Sequence, residues 1–591
     1  MTDSSGLGSC QVADDACSLS SECPSSLVCR AGLCTNACEA DRDCASGATC
    51  LEVDGVLGCI TPSNIDCVYH SECPMDFVCG VDHRCREECH ADKDCRDGLR
   101  CDRDSWPWVC ALPFDAGPMD AGTMDAGSDA EPMDAGFDGG PMDAGFDAGP
   151  MDAGFDAGPL DAGGVPGTTV SALRLGSPGT DIGWGIATDA SGNVLVTGSF
   201  SGTVDFGGGM VMTAGGEDIF VLSLRPDGTF RWARRFGGTG NDAGAAVSID
   251  GSGNVRVTGS FTGTVDFGGG PITSMGGADI FVLGLDPGGA YAWASTFGST
   301  GIDLSARIAT DGTGNVLVTG AFSNMVDFGS GPLVSAGPFD VFVLSLRSNG
   351  SLGWARRFGG GSADFANDVA TDTTGNVRVT GFFGGSVDFG GGPIASAGGN
   401  DVFVLALDSL GSYQWARGFG GTLPDLGMGI ATDAMDNVRV TGELSGTVDF
   451  GGGPLTSAGG TDVFVLGLAP DGTFRWASRA GGTLDDRGNA IATDAGGNVV
   501  VTGYIQDTVD FGGGPLASGG TYDIFALDLA SDGSYQWARV FGGTGADLGY
   551  GVTATPRGTV LVTGEIGGPV DFGLGPVPHA GGPDVFLLEL E

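Results

Sequence analysis

The fold is decided by a stretch that runs from residue 246 to residue 299 and reads AVSIDGSGNVRVTGSFTGTVDFGGGPITSMGGADIFVLGLDPGGAYAWASTFGS. Its tripeptide Val-Thr-Gly recurs with a constant step of 61 residues. The seven copies begin at Val196, Val257, Val318, Val379, Val440, Val501 and Val562. A long repeat without slippage indicates seven equivalent structural units.

Each unit is predicted to contain four short strands. In the quoted copy the first ends at Asp250, the second covers Asn254 to Phe261, the third covers Asp279 to Leu285, and the fourth centres on Trp293. Gly-Asn and Asp-Pro-Gly-Gly turns separate them, as in β-hairpins. The third strand is apolar on nearly both faces, which is typical of a sheet packed between two others. In the fourth strand of the first copy, Phe230, Trp232 and Phe236 alternate with Arg231, Ala233 and Arg235, so one face is expected to meet solvent.

The two ends of the repeat array are out of step with each other. The chain ends at Asp584 to Glu591, the third strand of the seventh copy, while Thr169 to Gly176 aligns with a fourth strand. One sheet is therefore expected to be completed from both ends, as in closed β-propellers, whereas an open solenoid would need capping ends. We predict an all-β, seven-bladed propeller of four-stranded blades over residues 167–591, closed by an N-terminal strand.

Three short sequence segments of the repeat resemble those of a known repeat family. GNVLVTGSF, DIFVLSL and FGGTGNDAG, beginning at residues 192, 218 and 236, resemble the bacterial SBBP β-propeller repeat across Gly167 to Glu591. That resemblance implies an extracellular or envelope scaffold rather than a reaction. The words from Asp227 to Trp232 and from Asp471 to Trp476 also resemble the tryptophan-docking repeats of quinoprotein dehydrogenases. Packing between blades explains these tryptophans equally well.

All 17 cysteines lie before the repeats, between Cys10 and Cys110. Sixteen of them form two sets of eight that lie about 50 residues apart, and these are Cys17, Cys23, Cys29, Cys34, Cys38, Cys44, Cys50 and Cys59, followed by Cys67, Cys73, Cys79, Cys85, Cys89, Cys95, Cys101 and Cys110. Such short segments cannot bury a sufficient core, so about four disulfides per module are expected, in an oxidising compartment.

Zinc is the alternative for these cysteines, but the Cys-x-x-Cys spacing that favours it is missing. Residues 17–110 are therefore predicted to form two tandem eight-cysteine modules, which resemble Dickkopf-type or EB-type modules of extracellular proteins. The pairing of the cysteines stays open.

The remaining cysteine, Cys10, lies within residues 1–16, in the sequence Leu-Gly-Ser-Cys, which resembles a bacterial lipobox. Met1 to Gly6 has neither a basic nor an apolar signal region. Our hypothesis is that translation starts further upstream and that Cys10 carries a lipid anchor. The alternative is an unpaired or intermolecular cysteine at the terminus.

Residues 111–166 are rich in Asp, Ala, Gly, Pro and Met, with twelve carboxylates and no cation between residues 111 and 165. Low hydrophobicity and charge of one sign predict a disordered linker that acts as a tether. Calcium binding is the alternative, but the clustered Asp-x-Asp-x-Asp-Gly pattern is absent.

Charge and composition exclude several functions. A formal charge of -48 disfavours nucleic acid, and no apolar run reaches the roughly 18 residues of a transmembrane segment. The repeats contain a single histidine, His579, and no cysteine or lysine, so nucleophilic catalysis lacks its usual parts. We therefore expect a non-enzymatic protein that is exported, either secreted or held at the outer membrane as a lipoprotein.

One set of carboxylates is a candidate site, because each member precedes the predicted innermost strand of its blade. The set comprises Asp181, Asp242, Asp303, Asp364, Asp425, Asp486 and Asp547. Seven carboxylates near one channel mouth suit Ca²⁺ or a cationic ligand, while the alternative is that each binds local loop amides. No other cofactor is expected.

The function predicted is that of a non-catalytic surface scaffold for binding or adhesion, with a protein or glycan ligand at one face of the propeller. The alternatives are a carbohydrate-active or quinoprotein-like enzyme, and a passive structural protein of the envelope.

Overall fold

The structure is a computed structural model that describes residues 166–591 and, before them, only the backbone of eight short strands between residues 27 and 111. These eight form four antiparallel hairpins: Leu27–Arg30 with Leu33–Asn36, Thr49–Val53 with Val56–Ile60, Phe77–Cys79 with Cys85–Glu87, and Arg100–Asp102 with Val109–Ala111. Cys10, the linker and the rest of the cysteine-rich segment lie outside the described residues, and so do the expectations that concern them.

The register of the four hairpins agrees with the repeat seen in the cysteine spacing. It places Cys29 opposite Cys34, Cys50 opposite Cys59, Cys79 opposite Cys85 and Cys101 opposite Cys110. Each group of four cysteines thus ends in the same local structure.

Residues 166–591 form seven four-stranded antiparallel sheets, which we number blades 1 to 7 in chain order. The inner strands are Asp181–Thr188, Ala243–Ile249, Asp303–Thr310, Phe365–Thr371, Leu426–Thr432, Arg487–Thr493 and Asp547–Ala554. The second strands are Val194–Phe200, Val255–Phe261, Val316–Phe322, Val377–Phe383, Val438–Asp449, Val499–Ile505 and Val560–Ile566. Each inner strand contacts the inner strands of both neighbouring blades, so the blades close into a ring around a channel.

The third strands are Asp218–Leu224, Asp279–Leu285, Asp340–Leu346, Asp401–Leu407, Pro454–Leu468, Asp523–Leu529 and Asp584–Leu590. The outer strands are Phe230–Phe236, Tyr291–Phe297, Leu352–Phe358, Tyr413–Phe419, Phe474–Ala480, Tyr535–Phe541 and, for blade 7, Thr169–Leu175. The last pairing joins Leu590 to Thr169 and Val585 to Leu175, which confirms the predicted closure.

A short ribbon that the sequence did not lead us to predict joins the second and third strands of each blade. The ribbons are Thr203–Asp205 with Met210–Met212, Thr264–Asp266 with Pro271–Thr273, Met325–Asp327 with Pro332–Val334, Ser386–Asp388 with Pro393–Ala395, Thr508–Asp510 with Pro515–Ala517, and Val570–Asp571 with Pro576–Val577. In blade 5 the ribbon is continuous with its neighbouring strands. The buried valine and the following phenylalanine of each ribbon, such as Val265 and Phe267, add to the core between blades.

The core consists of clusters that each span two adjacent blades. One of them, for example, joins Val341 and Val343 of blade 3 to Val379, Phe403 and Leu405 of blade 4. All seven residues of the third strand Asp218–Leu224 are buried, as predicted for a sheet between two others. Burial on both faces makes this strand the apolar centre of the blade.

The arginines of the outer strand also bind protein groups, which the sequence did not lead us to predict. Arg235 forms an ion pair with the buried carboxylate of Asp218, and Arg234 donates to the carbonyl of Gly289 in the next blade. Equivalent ion pairs join Arg174 to Asp584, Arg357 to Asp340 and Arg479 to Asp462.

In blades 1 to 6 the tryptophan of the outer strand docks on the next blade, whereas the outer strand of blade 7 has Ser171 at this position. Trp232 Nε1 donates to the carbonyl of Pro287 at 3.1 Å, and its ring covers Gly289. Trp293, Trp354, Trp415 and Trp476 repeat this contact with the carbonyls of Ser348, Ser409, Pro470 and Ser531. Gly167 lies under the ring of Trp537, so the docking continues at the closing strand.

Replacing Gly289 by alanine should destabilise the propeller. Gly289 has φ +76°, and an added Cβ would lie 2.7 Å from Trp232 Cε3. Backbone strain and the lost ring contact together should lower the free energy of unfolding by about 1–3 kcal/mol. Denaturant unfolding of the full chain measures it. Gly251→Ala is the matched control, since no atom lies within 4 Å of its added Cβ. Equal midpoints for the two variants would contradict the docking interpretation.

Candidate functional site

The seven candidate carboxylates lie where the sequence placed them, at the start of each inner strand. We call this end of the ring the Asp181 face, and the opposite end, which carries the tight turns such as Asp189 to Asn193, the turn face. Every one of the seven is buried, with an exposed fraction of 1% or less.

Both oxygens of each carboxylate are occupied by backbone amides. One accepts from the amide four residues earlier and the other from the amide twenty residues later, as with Ser177 and Ser201 at Asp181, at 2.6 and 3.1 Å. The other six follow the same pattern. Within residues 166–591 no group of three His, Cys, Asp or Glu side chains is arranged to hold a metal ion. These carboxylates organise the loops of the Asp181 face.

The other recurring aspartates cap turns. Asp189 Oδ1 accepts from the amides of Ser191 and Asn193, both at 2.9 Å. In blade 7 the hydroxyl of Thr555 takes this role and accepts from the amides of Arg557 and Thr559. His579 is half-buried, and its Nε2 is buried without a hydrogen-bond partner.

A β-bulge in every inner strand positions the residues that differ between blades. In blade 1 the register shifts between Gly183 and Gly185, so Trp184 is the extra residue, and bulges re-aim such side chains. The bulged residues are Trp184, Ala245, Ala306, Asn367, Met428, Asn489 and Tyr550. The fold accepts any residue here, since alanine, asparagine and tryptophan all occupy this position.

A second variable position lies on the second strand. It pairs with the inner-strand residue that directly follows the candidate aspartate, as Ser199 pairs with Ile182. It holds Ser199, Ser260, Ala321, Phe382, Glu443, Tyr504 and Glu565 in blades 1 to 7. In five blades the residue is small or aromatic, whereas blades 5 and 7 place a glutamate in this half-buried position. Burying a charge that the fold does not need is costly.

Residues that differ between blades meet in blades 5, 6, 7 and 1, and we call this group the mouth cluster. Besides residues at the two variable positions it includes Arg487, the first residue of its inner strand. Its members are Met428, Glu443, Arg487, Tyr504, Tyr550, Glu565 and Trp184. Arg487 Nε lies 3.5 Å from Glu443 Oε2, and Arg487 Nη2 lies 2.7 Å from Met428 Sδ. Tyr550 Oη donates to Glu565 Oε1 at 3.0 Å. The rings of Tyr550 and Trp184 lie 4.4 Å apart.

The carboxylates of the mouth cluster hold protons more tightly than usual. Burial raises the pKa of Glu443, an effect that Arg487 opposes and Asp485 reinforces. Burial also raises the pKa of Glu565, against the hydrogen bond from Tyr550. The pKa values of Tyr504 and Tyr550 are raised by burial as well. All seven members are half-buried, so their polar groups are held in place but remain reachable from solvent.

Below the mouth cluster the channel is bridged. Arg307 of blade 3 reaches across the ring and donates to the carbonyl of Tyr550 in blade 7 at 3.1 Å. Asp368 lies near this arginine, and burial raises its pKa to about 6 although Arg307 opposes the change. Asp368 also accepts from the amides of Val369 and Ile430. The Asp181 end of the channel is thus a cup whose floor carries Arg307.

The other side of the cup is apolar. Blade 2 contributes Ala243 and Ala245, while Phe365 of blade 4 stacks on Phe382 with centroids 5.2 Å apart. In blade 3 the apolar side chains of Ile302 and Leu304, at the start of the inner strand, are exposed. The mouth is therefore divided into a polar, aromatic arc and an apolar arc.

The mouth cluster was not predicted, although the sequence carries a signal for it. The two variable positions stand out only where the seven copies differ, not in what they share. The bulge and the contact between Trp184 and Tyr550, which are 366 residues apart in the chain, have no sequence signature.

A separate small cavity lies on the turn face, between blades 7 and 1. Its lining includes Ser171, Arg225, Arg557, Leu587 and Glu589. Glu589 is satisfied by the hydroxyls of Thr559 and Ser171. Its arginines bind backbone carbonyls. This cavity is an internal seam of the closing blade.

Comparisons with known proteins agree with a propeller fold and do not identify a family. No protein-family model matches the chain. An uncharacterized WD repeat-containing protein, L264, of Acanthamoeba polyphaga mimivirus is 22% identical over 504 residues, which are 68% of this chain and 36% of that protein. The regulatory protein FlaEY of Caulobacter vibrioides is 32% identical over 161 residues, which are 27% of this chain and 17% of that protein. The match thus spans little more than a third of the longer-matching relative.

Solved structures share the architecture at low similarity. The WD40 domain of Neurospora crassa Pan2 is 10% identical with a TM-score of 0.36, and covers 71% of this chain and 97% of that domain. A gluconolactonase of Xanthomonas campestris is 14% identical with a TM-score of 0.28, and covers 71% of this chain and 100% of that chain. The chain itself contains a seven-bladed β-propeller of four-stranded blades.

Because of its buried carboxyl groups, the free energy of unfolding of the propeller should fall as pH rises. Burial raises the pKa values of Asp181, Asp425 and Asp486 to about 6, above the 3.8 of an unperturbed aspartate. Between pH 3.8 and about pH 6 these carboxyls bind more protons in the folded chain than in the unfolded chain. The stabilisation of the folded state that they provide is therefore present at low pH and is lost as pH rises past about 6. Carboxyls with lowered pKa, such as Asp311, act oppositely but are fewer among the buried groups.

We therefore expect the free energy of unfolding of the full chain to be lower at pH 7.5 than at pH 4.5 by about a few kcal/mol in total. The denaturant midpoint should fall accordingly. High salt in both samples screens the general repulsion of the acidic chain. A midpoint that rises from pH 4.5 to pH 7.5 would refute this prediction.

Proposed function

We propose that this chain is a non-catalytic binding protein, displayed outside the cytoplasm, which holds a ligand in the cup of the Asp181 face. The supporting observation is a break in the sevenfold regularity. Residues that the fold needs, such as the seven buried aspartates, repeat in every blade, whereas the mouth cluster concentrates charged and aromatic side chains in blades 5, 6, 7 and 1. A convergent set of polar and aromatic groups in a concave mouth is the usual form of a ligand site.

The direction of the chain suits display. Thr169 pairs with Leu590 at the turn face, so the preceding segment enters the propeller at the face opposite the cup. A tether from that side leaves the cup free. The cysteine-rich modules and the acidic linker, together with the resemblance to SBBP repeats, support export, and Cys10 is the proposed point of lipid attachment.

A carbohydrate-active enzyme is the second candidate, and one observation favours it. Glu443 and Glu565, both with raised pKa values, lie in the same mouth cluster, and glycoside hydrolysis uses one protonated and one ionised carboxyl group. Release of product from a bound glycan, abolished by Glu565→Gln, would establish that function. A passive structural protein, the third candidate, would bind no ligand.

Export is tested by counting thiols. We expect at most about one free thiol per denatured, unreduced chain isolated from its source, because sixteen cysteines pair in an oxidising compartment. After reduction, all 17 cysteines should react. The Cys10→Ser variant should lose any incorporated fatty acid and serves as the control for lipidation. A chain whose cysteines are all free before reduction would overturn the proposal of export.

The position of the binding face is tested by hydrogen exchange on the full chain with any ligand that binds. Amides at the mouth, in residues 176–184, 482–489 and 543–550, should be protected, because their loops surround the cup. The tight turns at Asp189 and its equivalents supply the internal control. Protection confined to those turns or to the outer strands would place the site elsewhere.

A further inference from the structure

The polar groups of the mouth cluster are mixed in kind, and this limits the ligand that fits. Arg487 and the tyrosine hydroxyls donate hydrogen bonds, whereas Glu443 and Glu565 accept them. The guanidinium and the two carboxylates alternate along the arc, as the Arg487 to Glu443 distance of 3.5 Å and the Tyr550 to Glu565 distance of 3.0 Å show. Donors and acceptors side by side match a ligand whose groups can do both, such as hydroxyls.

A strongly charged ligand is disfavoured by the same residues. A cation would meet Arg487 on the arc and Arg307 on the floor, and an anion would meet Glu443, Glu565 and the general negative charge of the chain. A neutral ligand avoids both repulsions.

Aromatic rings supply the rest of the fit. Trp184 and Tyr550 lie in contact, with centroids 4.4 Å apart, and Tyr504 packs against Tyr522 at 4.8 Å. Such rings offer rigid, partly polar surfaces. The C–H face of a pyranose is flat and apolar, while its edge carries hydroxyls. Across the cup, alanine and phenylalanine side chains of blades 2 and 4 provide apolar surface.

We propose that the cup binds the end of a neutral glycan, with a terminal pyranose against Trp184 and Tyr550 and its hydroxyls on Glu443, Arg487 and Glu565. This inference rests on the proposed binding function and names its ligand class. Because Arg307 bridges the channel below, the cup admits a chain end rather than a strand that threads the ring.

The test uses the full chain and calorimetric titration with neutral hexasaccharides of glucose, mannose, xylose and N-acetylglucosamine, together with an oligoarginine peptide and heparin. At least one neutral glycan should bind. Trp184→Ala and Tyr504→Ala should each weaken that binding by about tenfold or more. Both variants should fold, because the same positions hold alanine in other blades, at Ala245 and Ala321.

Two further variants sharpen the result. Tyr413→Ala is the matched control, since Tyr413 is 39% exposed on an outer strand, and it should leave the affinity unchanged. Glu565→Gln keeps an acceptor for Tyr550 but removes the charged acceptor that faces a ligand hydroxyl, so glycan binding should weaken by about threefold or more.

The outcomes separate the two proposals. Binding of oligoarginine or heparin that is lost in Trp184→Ala, with no glycan binding, would overturn the glycan inference and leave the cup as a binding site. Binding of any probe that is insensitive to both cup variants, or no binding at all, would overturn the glycan inference and count against the proposed function as well.

Discussion

The docking of one tryptophan on the next blade is the contact on which this propeller depends. Six rings each cover a glycine in the left-handed region, and the indole N–H donates to a turn carbonyl of the neighbouring sheet at Trp232, Trp293, Trp354, Trp415 and Trp476. The contact fixes the spacing of adjacent blades at their outer edge, while the inner strands fix it at the channel. Six of the seven junctions between blades are constrained at both edges in this way, and at the junction of blades 7 and 1 Ser171 stands in place of the tryptophan. The ring closes with the register seen in blade 7, and the position of every inner strand follows.

Most of this architecture could be predicted from the sequence, because it is written in local patterns. The period of 61 residues, the apolar third strand and the offset ends predicted four strands per blade and the closing strand, and all of these are confirmed. The ribbons were missed because three-residue strands such as Thr264–Asp266 carry no periodic pattern long enough to recognise. The ion pairs of the outer-strand arginines were not predicted, because their partner, the buried aspartate of the third strand, lies 17 residues away in the chain.

The candidate site was less predictable, for a physical reason. The recurring aspartates looked like a site because they recur, and the structure shows that recurrence reflects the needs of each blade: two backbone amides occupy every carboxylate. The distinctive chemistry lies instead where the copies differ. Its members meet only because the ring brings blade 7 against blade 1 and because a bulge turns Trp184 and Tyr550 out of the regular pairing. Neither condition can be recognised in a single repeat.

The closing strand also has a mechanical consequence. A pull that reaches the propeller through the preceding segment enters at Thr169, on the turn face, while a ligand held in the cup resists from the opposite face. The load then runs along the axis of Thr169–Leu175, nearly perpendicular to the hydrogen bonds that join it to Asp584–Leu590. Those bonds are strained together in shear rather than opened one after another, so the same pairing that completes the ring is well placed to withstand tension.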